Sequence, residues 1–198
     1  MKYMFASDVH GSAYYCRKML DAYREEKAER LVLLGDLLYH GPRNDLPKDY
    51  APKEVISMLN ALKREIYAVR GNCEAEVDQM VLQFPVLADY MILFAGERAI
   101  YATHGHVYNE NHLPPLKPGD VLLHGHTHVL RAEEKDGLAG KTTNPFPTIN
   151  IFRQQQHRLS TRYKYARPSV SENFSIDGLC LSFHNGQLTP PGQYAVDF

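Results

Sequence analysis

Several things are scarce in this 198-residue chain, and each scarcity excludes a class of protein. An excess of one charge is missing. The 22 Lys and Arg stand against 23 Asp and Glu, a formal net charge of −1, so no global field draws the chain to nucleic acid or to an anionic membrane. Cysteine is sparse: Cys16, Cys73 and Cys180 are scattered and odd in number. That argues against a disulfide framework and for a reducing cytoplasm. Long apolar runs are absent at the start, where Met1-Lys2-Tyr3-Met4-Phe5-Ala6 soon meets Asp8. The run is too short for a signal peptide or a membrane span and reads as a first buried strand. There is no internal repeat, and the one low-complexity tract is Gln154-Gln155-Gln156. Acidic residues are missing from 138–171, a divergent stretch carrying Lys141, Arg153, Arg158, Arg162, Lys164 and Arg167. Its aromatics are not regularly interleaved with the charges, so it reads as a diverged surface segment, or one that pairs with another subunit, before it reads as a polyanion site.

Hydrophobic residues make up 44% of the chain, enough for one good core and a single domain over 1–198. Within it, His124-Gly125-His126-Thr127-His128 follows the apolar run Val121-Leu122-Leu123. Imidazoles this dense suit a metal, since neutral imidazole nitrogen binds borderline cations well. Further ligands stand at the ends of other apolar runs. Lys2 to Ala6 leads to Asp8 and His10, Leu31 to Leu34 leads to Asp36, Ile66 to Val69 leads to Asn72, and Ala99 to Ala102 leads to His104. Glycines flank each end, at Gly11, Gly35, Gly71, Gly105 and Gly125, where tight turns and close backbone approach are needed.

The runs alternate with helical signals. Ser12 is placed to cap a helix reaching about Lys27. Pro52 opens a second, through about Arg64, after a Gly- and Pro-rich loop from Tyr39. A short helix is expected over Glu76 to Gln83, strands over Tyr90 to Phe94 and Phe174 to Phe183, and a hairpin from Val129 to Glu133 through the Asp136-Gly137 turn. This alternation gives an α/β sandwich, in which ligands gather at the carboxyl ends of the strands. Two aspartates, one asparagine oxygen and four histidines are too many for one tetrahedral ion and suit two adjacent ones. No thiolate is required, which favours Mn²⁺, Fe or Zn²⁺ over a structural zinc or a soft copper site. Paired ions about 3.5–4 Å apart clamp phosphate oxygens and activate water for in-line attack on phosphorus.

Asp8-Val9-His10, Gly35-Asp36, Gly71-Asn72-Cys73-Glu74, Thr103-His104-Gly105-His106 and Gly125-His126-Thr127-His128 together resemble the five blocks of the calcineurin-like metallophosphoesterases. The loop His40-Gly41-Pro42-Arg43-Asn44 and the order of blocks are most similar to the family's small bacterial phosphodiesterases. The resemblance covers roughly residues 1 to 135. It implies a four-layer α/β/β/α sandwich with two central sheets, and two divalent ions, commonly Mn²⁺, with Zn²⁺, Fe²⁺ or Ni²⁺ as alternatives. It further implies Asp8, His10 and His128 on the first ion, Asn72, His104 and His126 on the second, and Asp36 bridging both. The nucleophile would be the metal-bridging water or hydroxide, acting on a small phosphate ester. Asn72 and Cys73 are the catalytic candidates, and Arg43 is a candidate phosphate contact.

The chain departs from the family pattern twice. Cys73 stands where most members have a histidine that assists the leaving group. A thiol cannot donate as an imidazolium does at pH 7, so esters with good leaving groups are expected. Downstream, Asn144-Pro145-Phe146-Pro147 replaces the usual Asn-Pro-Gly-Ser. Two competing functions remain. One is a non-catalytic scaffold of the same fold, like the retromer subunit, against which the full ligand set argues. The other is a nuclease, which the balanced charge does not favour. A homo-oligomer is compatible with the sequence.

Overall fold

The computed structural model describes residues 2–95, 98–118, 120–128, 131–135, 146–150, 179–184 and 187–188. Two five-stranded sheets form its centre. The first runs β10-β9-β1-β2-β3 and the second β4-β5-β6-β8-β7. The first sheet is built from β1 (Lys2–Ala6), β2 (Arg30–Leu33), β3 (Ile66–Ala68), β9 (Leu179–His184) and β10 (Gln187–Leu188). The second is built from β4 (Tyr90–Ala95), β5 (Arg98–Thr103), β6 (Val121–His124), β7 (Arg131–Lys135) and β8 (Phe146–Asn150). Three helices complete the described elements: α1 (Ala13–Glu25), α2 (Pro52–Ala61) and α3 (Glu76–Val81). The molecule is thus an α/β sandwich on two central sheets. No helix among the described residues is long and apolar enough to cross a membrane.

The first sheet's inner strands are apolar on both faces because each face has its own core. Met4, Ala6, Leu31, Leu33, Ile66 and Ala68 pack with Cys16, Leu20, Val55 and Leu59 of α1 and α2. The alternate residues Phe5, Val32 and Leu34, with Val69, meet Ile100, Ala102, Val121 and Leu123 of the second sheet. All eight are fully buried, and each of the seven larger than alanine stabilises the sandwich by roughly 1.5–3 kcal/mol. Period-two alternation therefore sends one set of side chains to the helices and the other to the opposing sheet. That second set locks β1 and β2 against β5 and β6, and it brings their carboxyl ends to one rim.

Most expected elements lie where the sequence places them; the helices end earlier than expected, whereas β4 and β5 run slightly longer. Ser12 caps α1 by accepting the Tyr15 N–H at 3.2 Å. The helix stops at Glu25 rather than Lys27, which has φ 51°. The helix from Pro52 stops at Ala61 rather than Arg64, and the short helix at Val81 rather than Gln83. Two findings exceed the local signals. β8, within the acid-free stretch, lies between β6 and β7, parallel to the first and antiparallel to the second. β9 pairs antiparallel with β1 on the side away from β2. The Asp136-Gly137 turn and the rest of 138–171 lie outside the described residues.

Candidate metal centre

Three backbone hydrogen bonds and one to a side chain bring the motif loops together. Beyond β1 and β2, Asp8 N–H donates to Gly35 O at 3.0 Å and His10 N–H to Asp36 O at 2.8 Å. Beyond β5 and β6, Gly125 N–H donates to His104 O at 2.8 Å. The two sheets are joined by the Asp8 carboxylate, whose Oδ2 accepts the His126 N–H at 3.0 Å. Gly125 sits where the sheets approach, since a Cβ there would overlap Ser7 Oγ and lie 2.7 Å from Asp8 Oδ2.

Five of the candidate ligands have left-handed backbones: Asp8 (φ 59°), His10 (49°), Asp36 (55°), His126 (71°) and His128 (54°). An L-residue pays about 1–2 kcal/mol for that conformation. Concentrated at one rim, it marks a site whose side-chain directions matter more than local comfort.

The seven candidates converge in two overlapping groups. In one, Asp8 Oδ1 lies 3.1 Å from His128 Nε2 and 3.6 Å from His10 Nε2. In the other, His104 Nε2 lies 3.1 Å from both Asn72 Oδ1 and His126 Nδ1. Asp36 stands between them, its Oδ2 3.6 Å from His10 Nε2 and 3.5 Å from His104 Nε2. Its Oδ1 is taken by the Cys73 N–H at 2.9 Å. Backbone carbonyls fix two of the imidazoles. His10 Nδ1 donates to Tyr39 O and His104 Nδ1 to Leu34 O, each at 2.7 Å. Both rings therefore turn the Nε2 lone pair inward, the arrangement in which imidazole serves a cation.

Electrostatics matches the geometry. Burial alone would raise the Asp8 carboxyl, but the neighbouring His10, His128 and His104 imidazoles outweigh it and hold the group well below the usual carboxylate range. Burial likewise works against a charged His10, yet Asp8, the Tyr39 carbonyl and Asp36 raise it. His126 is lowered, chiefly by burial and then by His104, which favours a neutral, ligating ring. Burial, then Asp36, pushes the Cys73 thiol up.

Sequence reasoning did not give Glu74 a role, although it lies in a motif block. Its buried carboxylate accepts N–H bonds from Asp36 at 2.8 Å, Leu37 at 2.7 Å and Gly71. It therefore ties the loop after β2 to the loop after β3. Burial raises this carboxyl, and those amide donors oppose the rise. The signal available was an acid two residues after the Gly-Asn pair, but nothing local says where its oxygens turn.

His10, Asp36, Asn72, Cys73, His126 and His128 line a cleft of about 340 Å³, which the exposed Arg43, Asn44 and Thr127 also line. His40 stacks edge-on between Tyr39 and Tyr50. His106 faces His104 with ring centroids 5.4 Å apart. His124 is fully buried in β6, its Nε2 3.3 Å from Glu110.

A two-sheet sandwich with Asp, Asn and His converging at strand ends defines a class of metal-dependent phosphoesterases. Residues 1–150 match the calcineurin-like phosphoesterase superfamily domain, and the chain belongs to that superfamily of phosphoric-ester hydrolases. It is 46% identical over 135 residues to phosphodiesterase YfcE of Escherichia coli K12, which spans 68% of this chain and 73% of that protein. A solved structure of E. coli YfcE, a phosphoesterase, aligns at a TM-score of 0.70 and 42% identity, covering 76% of this chain and 78% of that one. Phosphodiesterase MJ0936 of Methanocaldococcus jannaschii is 24% identical over 169 residues, 77% of this chain and 92% of that protein.

Proposed function

We propose that the chain is a phosphodiesterase of small phosphate esters that works with two divalent ions, Mn²⁺ among those it accepts. The divided carboxylate of Asp36 carries the reading. One oxygen is held by Cys73 N–H, and the other stands between His10 and His104. Asp8, His10 and His128 would hold one ion, Asn72, His104 and His126 the second, and Asp36 would join them. The residues fit such ions on chemical grounds. His10 is 1% exposed and its Nε2 has no hydrogen-bond partner, a state that costs about 1–3 kcal/mol unless something takes the lone pair. Bound there, divalent ions polarise phosphate oxygens and activate water near neutral pH.

The chain's own residues supply the rest. The Tyr39 and Leu34 carbonyls hold His10 and His104 in the ligating tautomer. Arg43 is the one permanent cation among the described residues lining the cleft, and its planar fork suits the non-bridging oxygens of a phosphate monoanion. A lone arginine does not make the basic groove a nuclease needs. The cleft volume is near the lower end for ligand sites, which supports a small substrate. The free Cys16 and Cys73 thiols suit a reducing cytoplasm.

The test is hydrolysis of a chromogenic diester by chelator-stripped protein. Activity should be lost on stripping and return with Mn²⁺. A stripped chain that keeps full activity overturns the metal dependence. Cys73 lines the cleft without an imidazole's ability to protonate a departing alkoxide. Cys73→His should therefore raise turnover of diesters with poor leaving groups on the order of 10–100-fold, and change esters with good leaving groups much less. A flat response across a leaving-group series would remove Cys73 from the catalytic account.

A further inference from the structure

We propose that Cys73 gives this cleft a second mode of metal binding, in which thiophilic ions such as Cd²⁺ or Zn²⁺ take its sulfur as a ligand that Mn²⁺ leaves untouched. The proposal rests on the metal-binding reading above and concerns a residue that reading leaves outside the ligand set.

Cys73 Sγ, a nitrogen of His10 and a carboxylate oxygen of Asp36 all lie within 4.8 Å of one another. A thiol alone would mean little, but His10 aims into the same space a buried Nε2 with no hydrogen-bond partner. Its tautomer is set by the Tyr39 carbonyl at 2.7 Å, so the lone pair on Nε2 is directed inward. The Cys73 backbone is anchored by its N–H bond to Asp36 Oδ1 at 2.9 Å, which leaves the side-chain torsion as the free variable. Asn72 Nδ2 donates to Sγ at 3.3 Å, so the sulfur already acts as an acceptor. Gly41 flanks the sulfur: a Cβ built there would lie 3.8 Å from Sγ, in van der Waals contact, so glycine keeps that side free of a side chain.

Zinc–nitrogen and zinc–oxygen bonds of about 2.0–2.2 Å and a zinc–sulfur bond of about 2.3 Å put neighbouring ligand atoms roughly 3.5 Å apart. A turn of the Cys73 side chain spans the difference. Thiolates favour soft ions, whereas Mn²⁺ prefers oxygen and nitrogen and is the weakest binder of the divalent series. Coordination is balanced by proton release: the S–H bond breaks, a sulfur–metal bond forms, and the proton passes to solvent. The sulfur then fills a position facing the cleft that a substrate oxygen would use. A thiophilic ion is therefore bound more tightly and supports turnover less well than Mn²⁺.

The experiment uses the full chain, metal-stripped, titrated separately with Cd²⁺ and Mn²⁺. Bound metal is counted by mass spectrometry and sulfur ligation is followed by near-ultraviolet thiolate-to-metal absorption. Cd²⁺ should raise the absorption to a plateau and Mn²⁺ should not. Cys73→Ser should abolish the band and weaken Cd²⁺ binding at least about tenfold, with Mn²⁺ binding unchanged. If that variant does not fold, alkylation of wild-type Cys73 followed by peptide mapping replaces it: Cd²⁺ should protect the residue and Mn²⁺ should not. Stoichiometric Cd²⁺ without a Cys73-dependent band or protection overturns the sulfur ligand and leaves the metal-binding reading intact. A chain that binds neither ion overturns both.

Discussion

Asp36→Asn is expected to weaken both ions together and to lower turnover by ~10³-fold, about 4 kcal/mol of barrier. The reason lies in how the carboxylate is divided. Its Oδ1 must accept the Cys73 N–H at 2.9 Å, and its Oδ2 faces His10 and His104. An asparagine has one acceptor oxygen to give. If it satisfies Cys73, an NH₂ group without a usable lone pair points at the metal positions. If it turns, the Cys73 N–H is left facing a donor. Neither rotamer reproduces the native arrangement, so the two ions should fail together, with affinities down by at least about 10–100-fold. Metal counting and diester hydrolysis on the same sample check it, with thermal unfolding as a control for fold. Activity and full metal occupancy retained in the variant would show that Asp36 does not link the two groups.

The same residue shows where sequence reading succeeds and where it stops. Asp8, Asp36, Asn72, His104 and His126 were legible because they punctuate apolar runs beside glycines, and strand ends in α/β sheets converge. The helices were legible from Ser12 and Pro52, although their last turns were not, because fraying ends carry no strong stop signal here. What was not legible is non-local. β8 is hidden by Pro147, which sits inside the strand opposite Glu134 and cannot donate to a ladder. The join between the sheets depends on Asp8 accepting the N–H of His126, 118 positions away. The left-handed backbones of Asp8, His10, Asp36, His126 and His128 are uncommon even for Asp and His, which adopt them more readily than most, so propensity alone does not announce them. Local rules fail most densely at the rim where the proposed chemistry is placed.

Glu74→Gln tests that non-local layer directly. Its carboxylate oxygens accept the N–H groups of Asp36, Leu37 and Gly71, so the site demands acceptors on both sides. Glutamine keeps one acceptor and presents an NH₂ to at least one of those amides. A buried donor left unpaired costs about 1–3 kcal/mol, and with donor facing donor the stability loss should reach ~2–4 kcal/mol, a large share of a typical domain's 5–15 kcal/mol. Urea denaturation would show it as a lower midpoint at unchanged slope. A second consequence separates positioning from mere stability. Asp36 and Gly71 are held by the same oxygen, so relaxing it shifts Asp36 and should weaken metal binding under conditions where the protein is fully folded. Tyr23→Phe provides the comparison, because it removes the Tyr23 hydroxyl bond to Glu65 at 2.7 Å. That bond joins α1 to the residue before β3 and touches none of the motif loops. The control should lower the midpoint and leave metal affinity alone. If Glu74→Gln does the same, Glu74 is a structural tie only and Asp36 holds its place without it.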